Sequence, residues 1–172
     1  MGSALHKALY PQEESNVAIL NIGSEEIKGH EVIKKAYEIL NSKNNKSYNF
    51  NGYIEGNELM SGKSNVIITD GFTGNVALKT AEGTANFITR NLKKSLNIFS
   101  LIFSYFSLKR FKNKLDPRKY NGAIFIGLQS PVVKSHGGTD AVGFAHSINV
   151  CNKIVKSNLI DKIKLNLIHI DA

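Results

Sequence analysis

The sequence predicts an α/β fold in which helices flank a parallel or mixed sheet. Two short apolar runs rich in β-branched residues, Val17–Ile22 and Val66–Thr69, are typical of buried strands. Each run is followed by a turn that contains glycine and then by apolar residues at helical spacing, and a third polar turn, Lys134–Asp140, follows a later strand. Because strands that alternate with helices form parallel sheets, we expect the three turns to lie at the carboxyl edge of one sheet.

The other elements are predicted from the same periodicities. A helix is expected over Val32–Leu40, and a strand that Gly52 interrupts is expected over Tyr48–Ile54. No element is predicted before Ser15. The remaining expectations are a short helical piece at Glu55–Ser61, a helix from Asn75, a buried strand at Ala123–Leu128, a short strand at Pro131–Val133, a helix through Phe144–Val155 and, with a strand as the alternative, a helix from Leu159 to Ala172.

Length and composition limit the class of protein. A chain of 172 residues, 42% of them hydrophobic, can bury the core of one domain. Its 22 basic and 14 acidic residues give a formal charge of +8, which favours an anionic partner. The single cysteine, Cys151, excludes an internal disulfide and is typical of a reducing cytoplasm. Since no apolar run reaches the roughly 20 residues of a membrane span, and Met1–Glu14 has no signal pattern, we expect a cytoplasmic protein, free or on a membrane surface.

The stretch Asn65–Lys79 has the most specific pattern for chemistry. Asp70-Gly71 and Gly74-Asn75 end the strand pattern ahead of a helix that is predicted to begin at Asn75. The N–H groups at the start of a helix and the positive end of its dipole favour a bound anion. The alternative is an ordinary connection in which Asp70 or Asn75 caps the helix.

Residues 93–119 form an apolar segment followed by a basic one. The apolar part, Leu96–Leu108, is too short to cross a bilayer. As a helix it is expected either to lie in an anionic membrane surface or to form a buried core or dimer contact. Nucleic acid is disfavoured as a partner, because the aromatic residues are bunched rather than interleaved with the basic ones. The residues expected to contact the membrane are Leu96, Phe99, Ile102, Phe103, Phe106, Lys109, Arg110 and Lys112.

Three strings of residues resemble one known family. They are NIGSEEIKG at 21–29, DGFTGNVALKTAEG at 70–83 and YNGAIFIGL…VVKSHGGTDA at 120–141. Their order and spacing, with the insertion before LDPRKYNG at 115–122, resemble the bacterial phosphate acyltransferases of phospholipid synthesis. The resemblance implies a Rossmann-like fold related to phosphotransacetylases and to isocitrate and isopropylmalate dehydrogenases. It also implies a homodimer with a peripheral membrane habit.

The resemblance covers only the C-terminal half of that family's chain. Residues 1–172 are therefore expected to form an incomplete fold, whose N-terminal half, with a glycine- and aspartate-bearing motif, is absent. The expected partners are acyl carrier protein, inorganic phosphate, an anionic membrane surface, a second copy of the chain and a separately encoded N-terminal half. The acyl phosphate product would pass to a membrane glycerol-3-phosphate acyltransferase.

The family reaction moves an acyl group from an acyl carrier protein thioester to inorganic phosphate. Phosphate is already ionised near neutral pH, so positioning and electrostatics can supply most of the acceleration. The resemblance implies that Asn75, Lys134 and His136 are catalytic, with Lys134 and His136 binding phosphate and protonating the leaving sulfur. The residues it implies for phosphate and substrate binding are Asn21, Gly23, Glu26, Asp70, Gly71, Gly74, Lys79, Ser135 and Gly137. No metal and no organic cofactor is expected.

The sequence leaves three hypotheses for the function open. In the first, the chain is a working half of the acyltransferase. In the second, it is a catalytically incomplete fragment that only dimerises and binds membranes through Leu96–Lys119. A third hypothesis is a transacylase whose acyl donor is coenzyme A rather than acyl carrier protein.

Overall fold

The computed structural model describes residues 1–42, 47–95, 105–111 and 121–168. The chain divides into two compact units, Met1–Asp70 with Phe125–Val132 and Asn152–Ala172, and Gly71–Ile124 with Val133–Cys151. In chain order the elements are α1 (Gly2–Leu9), β1 (Asn16–Leu20), α2 (Glu31–Ser42), β2 (Asn49–Ile54), a 3₁₀ helix (Gly56–Glu58), β3 (Val66–Ile68), α3 (Gly71–Ser95), α4 (105–111), β4 (Ala123–Ile124), β5 (Val133–Lys134), α5 (Ala141–Lys156) and α6 (Leu159–Ile168).

The sheet of the first unit is built around β1. Strands β2 and β3 pair with β1 from opposite sides, both parallel to it, so the strand order is β2-β1-β3. Four consecutive residues of β1, Val17–Leu20, are buried, a pattern that belongs to a strand covered on both faces. The predicted α/β class is confirmed. The predicted strand Val17–Ile22 is confirmed as well, although it ends at Leu20 and leaves Ile22 78% exposed.

Gly52 produces a bulge in β2. Val17 pairs with Phe50 and Ile19 pairs with Tyr53, so β2 uses one residue more than β1 between these two pairs. Gly52 has a φ of +75°, a conformation that glycine adopts without steric cost. The interruption predicted at Gly52 is thereby confirmed.

Helix α1 is the element that the sequence pattern does not predict. It is short, and its buried face, which includes Ala4, becomes evident only through its packing against α6. Leu159 and Ile163 of α6 are buried, and Asn166 Nδ2 donates to the carbonyl oxygen of Ala4 at 3.1 Å. The helix favoured from Leu159 is confirmed as α6 as far as residue 168.

Strand β4 is shorter than predicted. Only Ala123–Ile124 pair with another strand, and their partner β5 runs antiparallel to them. The strand expected over Ala123–Leu128 is confirmed only at Ala123–Ile124, and the expected burial is wrong, because Ala123 is exposed and Ile124 is half-buried. Gly127, with a φ of +90°, leaves the extended conformation. Strands β4 and β5 form a two-stranded sheet of their own rather than joining the parallel sheet.

Helix α5 buries small residues in its first half and exposes the large residues next to them. Gly143 and Ser147 are buried, whereas Phe144 and Ile148 are exposed. A Cβ added to Gly122 would lie 3.2 Å from Ser147 Cα, so the helix approaches this turn closely. Only small side chains permit such an approach. The helix predicted through Phe144–Val155 is confirmed, but Phe144, Ile148 and Val155 are exposed, and the large apolar residue that is buried is Ile154.

Two isoleucines separated by three positions test where the core ends. We expect Ile19→Val to lower the free energy of unfolding by about 1 kcal/mol, because Ile19 is 3% exposed and loses a buried methyl group. The same substitution at the exposed Ile22 should change stability by less than about 0.5 kcal/mol. Urea unfolding followed by circular dichroism measures both values, and equal losses would contradict the assignment of β1 as the central strand.

Candidate functional site

Two of the three predicted turns begin at the same edge of the parallel sheet. Strands β1 and β3 are neighbours, and Ile19 is paired with Ile68. Asn21 and Asp70 each lie two residues past this pair, at the carboxyl ends of their strands. The expected meeting of turns at one sheet edge is confirmed for these two. The expectation that all three turns follow strands of one parallel sheet is wrong, because the third turn follows β5 of the separate antiparallel pair.

The first turn, residues 21–30, is shaped by the side chain of Asn21. This residue is 6% exposed, its Nδ2 donates to the Lys28 carbonyl at 3.0 Å, and its Oδ1 accepts the Ile22 N–H at 2.9 Å. Gly29 has a φ of +93°, and a Cβ there would lie 2.3 Å from Asn21 Oδ1. The predicted phosphate-binding residue Asn21 therefore uses its amide to bond to its own loop.

Charged side chains surround the first turn. Glu25 and Lys28 form an ion pair at 2.7 Å, and the hydrogen bond from Lys28 holds the pKa of Glu25 below its usual value. Gly23 is buried, and a Cβ there would meet both of these side chains. Glu26 accepts a hydrogen bond from the Tyr37 hydroxyl at 3.0 Å. The turn thus carries two carboxylates beside one ammonium group.

The second turn is shorter than predicted, because α3 begins at Gly71 and runs through Gly74 and Asn75. The expectation of a helix start at Asn75 is wrong. One internal glycine costs only about 1 kcal/mol, which a helix of this length tolerates. Asp70 directly precedes the first helical residue, where a carboxylate is favourable, as the capping alternative expects.

The helix start changes which groups of the second turn can meet a ligand. Gly71 and Gly74 fall among the first four residues of α3, whose N–H groups have no acceptor within an α-helix. Asn75 lies beyond them and offers its side-chain amide. Asn75 and Lys79 are both exposed and lie one helical turn apart, so their side chains leave the same side of α3.

The third turn is held by a residue that sequence reasoning does not single out. Asn121 is 9% exposed and precedes β4. Its Oδ1 accepts the His136 N–H at 2.8 Å, and its Nδ2 lies 3.0 Å from Ser135 Oγ and 3.1 Å from Thr139 Oγ1. From the sequence, Asn121-Gly122 indicates only a turn. The structure brings the predicted residues Lys134, Ser135, His136 and Gly137 together in the loop that Asn121 holds.

The His136 ring has a defined orientation within this loop. Its Nδ1 accepts the Gly138 N–H at 3.2 Å, which assigns the proton of the neutral ring to Nε2. Lys134 ends β5 and is exposed, as His136 is. Asp140 Oδ1 accepts the Gly143 N–H at 2.9 Å and so caps α5. The loop therefore presents an ammonium group and an imidazole N–H beside a pair of glycines.

Comparison with known proteins decides the family. A family model described as "Fatty acid synthesis protein" matches residues 1–162. This chain belongs to the fatty acid synthesis protein family. Similar relatives named phosphate acyltransferase include one from Pelagibacter ubique, 62% identical over 97% of this chain and 52% of the relative. Another, from Afipia carboxidovorans, is 44% identical over 95% of this chain and 48% of the relative. A third, from Caulobacter vibrioides, is 41% identical over 100% of this chain and 49% of the relative.

This member of the fatty acid synthesis protein family spans about half the length of the curated relatives it matches. The resemblance to phosphate acyltransferases seen in the three strings is confirmed over nearly the whole chain.

Of the apolar and basic segment at residues 93–119, the structure describes 93–95, which end α3, and 105–111. Leu96, Phe99, Ile102, Phe103 and Lys112, predicted to contact the membrane, lie outside the described residues. In α4, Phe106 is 80% exposed, Lys109 Nζ lies 5.8 Å from the centroid of the Tyr105 ring, and Arg110 is exposed. None of the helices that the structure describes is long and apolar enough to cross a membrane. Within the same residues, no cluster of three or more His, Cys, Asp or Glu side chains could hold a metal ion.

Tyr37 and Glu26 give a titration test of the first turn. The hydrogen bond to Glu26, burial and the nearby carboxylate raise the pKa of Tyr37 above its ordinary value of 10.0. We expect Glu26→Gln to lower that pKa, because the negative charge is removed. Glu38→Gln is the matched control. Burial, Glu26 and Glu38 raise the pKa of Tyr53, whereas Glu38 is not among the groups that raise the pKa of Tyr37, so the pKa of Tyr37 should shift less than in Glu26→Gln.

The hydrogen bond between Tyr37 and Glu26 makes the free energy of unfolding depend on pH in the alkaline range. With its pKa raised on folding, Tyr37 stabilises the folded chain below pH 10.0, and this stabilisation is lost as the pH rises through the raised value. NMR titration of the tyrosine ring carbons, with Tyr37→Phe for assignment, measures both shifts. An unchanged Tyr37 titration in Glu26→Gln would contradict the contact.

Proposed function

We propose that this chain supplies the C-terminal half of an enzyme that transfers a fatty acyl group from acyl carrier protein to inorganic phosphate. The product would be an acyl phosphate for phospholipid synthesis. Family membership and the relatives named phosphate acyltransferase support this function. The structural observation that favours it most is the loop at 134–138, where Lys134 and His136 accompany a glycine-rich backbone.

The bond changes follow from the reactants. A phosphate oxygen attacks the thioester carbonyl carbon, the carbonyl oxygen becomes negatively charged, and the carbon–sulfur bond then breaks to release a thiolate. The ammonium of Lys134 neutralises phosphate charge, and the side-chain amide of Asn75 donates to phosphate or to the new oxyanion. His136 donates a hydrogen bond from Nε2 to the leaving sulfur and so stabilises the thiolate, since Nδ1 accepts the Gly138 N–H.

The other residues of the proposed site assist binding. Ser135, Gly137, Gly71, Gly74 and Lys79 provide hydroxyl, backbone or ammonium donors to the anion. Asn21 and Gly23 shape the first turn, while the carboxylates of Glu26 and Asp70 order Tyr37 and the start of α3 rather than touching phosphate.

We also propose that the assembled enzyme has the fold, the acidic partner, the dimeric state and the membrane attachment that the sequence predicts. The α/β core is extended into a Rossmann-like sheet like that of isocitrate and isopropylmalate dehydrogenases by residues equivalent to the relatives' N-terminal half. The net charge of +8 complements acyl carrier protein, which is acidic as a class. The protein acts as a homodimer, cytoplasmic and peripherally attached to membranes through residues 93–119.

A second candidate function is a non-catalytic module that only dimerises and binds membranes. The observation in its favour is α4, whose exposed Phe106 stands beside Lys109 and Arg110. The two candidates differ in whether acyl phosphate is formed, so the assay below separates them.

Removal of either Lys134 or His136 tests the acyltransferase. We expect Lys134→Ala and His136→Ala each to lower kcat about 100-fold, because each removes a donor to developing charge. Acyl phosphate formation is measured from acyl carrier protein thioester and phosphate, with and without the N-terminal half of the Pelagibacter relative. Lys162→Ala and Lys153→Ala, which alter exposed residues outside the proposed site, should keep full activity.

The control variants and the preferred acyl donor distinguish between the candidate functions. If the control variants lose as much activity as Lys134→Ala and His136→Ala, or if no acyl phosphate forms with or without the N-terminal half, the proposed reaction is excluded. Faster reaction with acyl coenzyme A than with acyl carrier protein would indicate the coenzyme A-dependent transacylase instead.

Charge reversal on α4 tests the membrane proposal. We expect Lys109→Glu with Arg110→Glu to weaken binding to anionic vesicles by roughly 30-fold, since each basic residue near such a surface contributes about 1 kcal/mol. Lys153→Glu with Lys156→Glu makes the same charge change on α5 and should have a much smaller effect. Co-sedimentation with phosphatidylglycerol vesicles measures both, and equal binding of the two variants would favour a buried dimer contact for the insertion.

A further inference from the structure

We infer that Asn121 is a positioning residue of the acyltransferase, whose buried side chain holds the loop bearing Lys134 and His136 in one conformation. This role depends on the proposed function, because it takes residues 134–139 to be part of the acyl-transfer site. Neither the family resemblance nor the relatives' names give Asn121 a role.

The amide of Asn121 reaches both ends of the loop. Its Oδ1 accepts the His136 N–H at 2.8 Å, and its Nδ2 lies within hydrogen-bond distance of the Ser135 and Thr139 hydroxyls. The same nitrogen donates to the Gly143 carbonyl at 2.9 Å, in the first turn of α5. Since an amide nitrogen has two hydrogens, one of them is shared between two of these three acceptors. A single side chain therefore joins the end of β5, the loop and the start of α5.

The packing around Asn121 leaves little freedom to this arrangement. A Cβ on Gly143 would lie 2.0 Å from Thr139 Oγ1 and 3.4 Å from Asn121 Nδ2. Gly122 has a φ of +116°, and a Cβ there would lie 3.2 Å from Ser147 Cα. The loop and the helix thus approach Asn121 as closely as their glycines allow, and a displaced loop could not keep the same hydrogen bonds.

A fixed loop matters because Lys134 and His136 are both exposed and have little packing of their own. The bond from the His136 N–H fixes the backbone from which the imidazole extends, and the Gly138 N–H fixes the ring. A displacement of a reacting group by about 1 Å can cost on the order of 100-fold in rate. Asn121 touches neither substrate in this scheme and acts through the loop.

Hydrogen exchange of the full chain tests whether Asn121 holds the loop. We expect Asn121→Ala to speed exchange of the His136 amide about tenfold, because that N–H loses its acceptor. Asn166→Ala, which removes a half-buried amide from α6, is the matched control and should leave the loop amides unchanged. NMR measures the rates, and an unchanged rate for His136 in folded Asn121→Ala would overturn the inferred role.

A second variant, Asn121→Asp, tests the same role if Asn121→Ala does not fold. Asn121→Asp keeps an acceptor for the His136 N–H but places a carboxylate oxygen against the Gly143 carbonyl. We therefore expect the Thr139 amide, which donates to the His136 carbonyl at 3.2 Å, to exchange faster while β1 keeps its rates. Loop rates equal to those of the unsubstituted chain would again overturn the role.

Kinetics test whether Asn121 acts through the loop. We expect Asn121→Ala to lower kcat about 100-fold in the unsubstituted background and less than about twofold in Lys134→Ala/His136→Ala. A residue needed only for stability would give the same loss in both backgrounds. Additive losses would overturn the positioning role.

The two proposals fail in different ways. If the chain joined to its relative's N-terminal half forms no acyl phosphate, the proposed function is overturned, and the exchange rates alone decide whether Asn121 holds the loop. If acyl phosphate is formed but loop exchange is unchanged or the losses add, the function stands and the role of Asn121 is overturned.

Discussion

Polar backbone groups that are shielded from water need hydrogen-bond partners, and two buried asparagine side chains provide them in this chain. Asn21 follows β1 and bonds to the backbone at Ile22 and Lys28. Asn121 precedes β4 and bonds to the backbone at His136 and Gly143. An unpaired buried N–H or carbonyl costs roughly 1–3 kcal/mol, so each asparagine restricts its loop to conformations that keep these bonds. The shape of both turns depends on this constraint.

Charge distinguishes the two loops once their shapes are fixed. The first turn carries Glu25 and Glu26 beside Lys28, and its lysine is already paired with Glu25. The third turn carries Lys134 and His136, and its one acid, Asp140, caps α5. A phosphate dianion is repelled by the first arrangement and attracted by the second. The third turn is therefore the better candidate for the phosphate position, and the first turn is better suited to shaping the sheet edge.

The chain sequence predicts those elements whose cause is local. The continuous apolar run predicts β1, and the glycine predicts the interruption of β2. Helical spacing of apolar residues predicts α2, α5 and α6. Helix α1 escapes prediction because its buried face is defined by α6, far away in the chain. The start of α3 is misplaced because Gly74 is treated as a break, although the good helix formers that follow from Ala77 onward outweigh its cost.

The candidate site could also be predicted from the sequence only in part. The residue strings point to Lys134 and His136, and the structure places them in one loop. Asn121 and Tyr37 could not be found from sequence, since each acts on residues at least eleven positions away. Nor does the pattern reveal that β4 and β5 form their own antiparallel sheet, because a short apolar run has the same appearance in either kind of sheet.

Phosphate titration of the full chain, followed by the NMR shifts of its backbone amides, tests the central claim most directly. We expect saturable shifts at Ser135, His136, Gly137 and Gly138 that chloride at equal ionic strength does not produce. Shifts confined to the first turn, or scattered over the basic surface with residues 135–138 unchanged, would contradict the assignment of phosphate to the third turn.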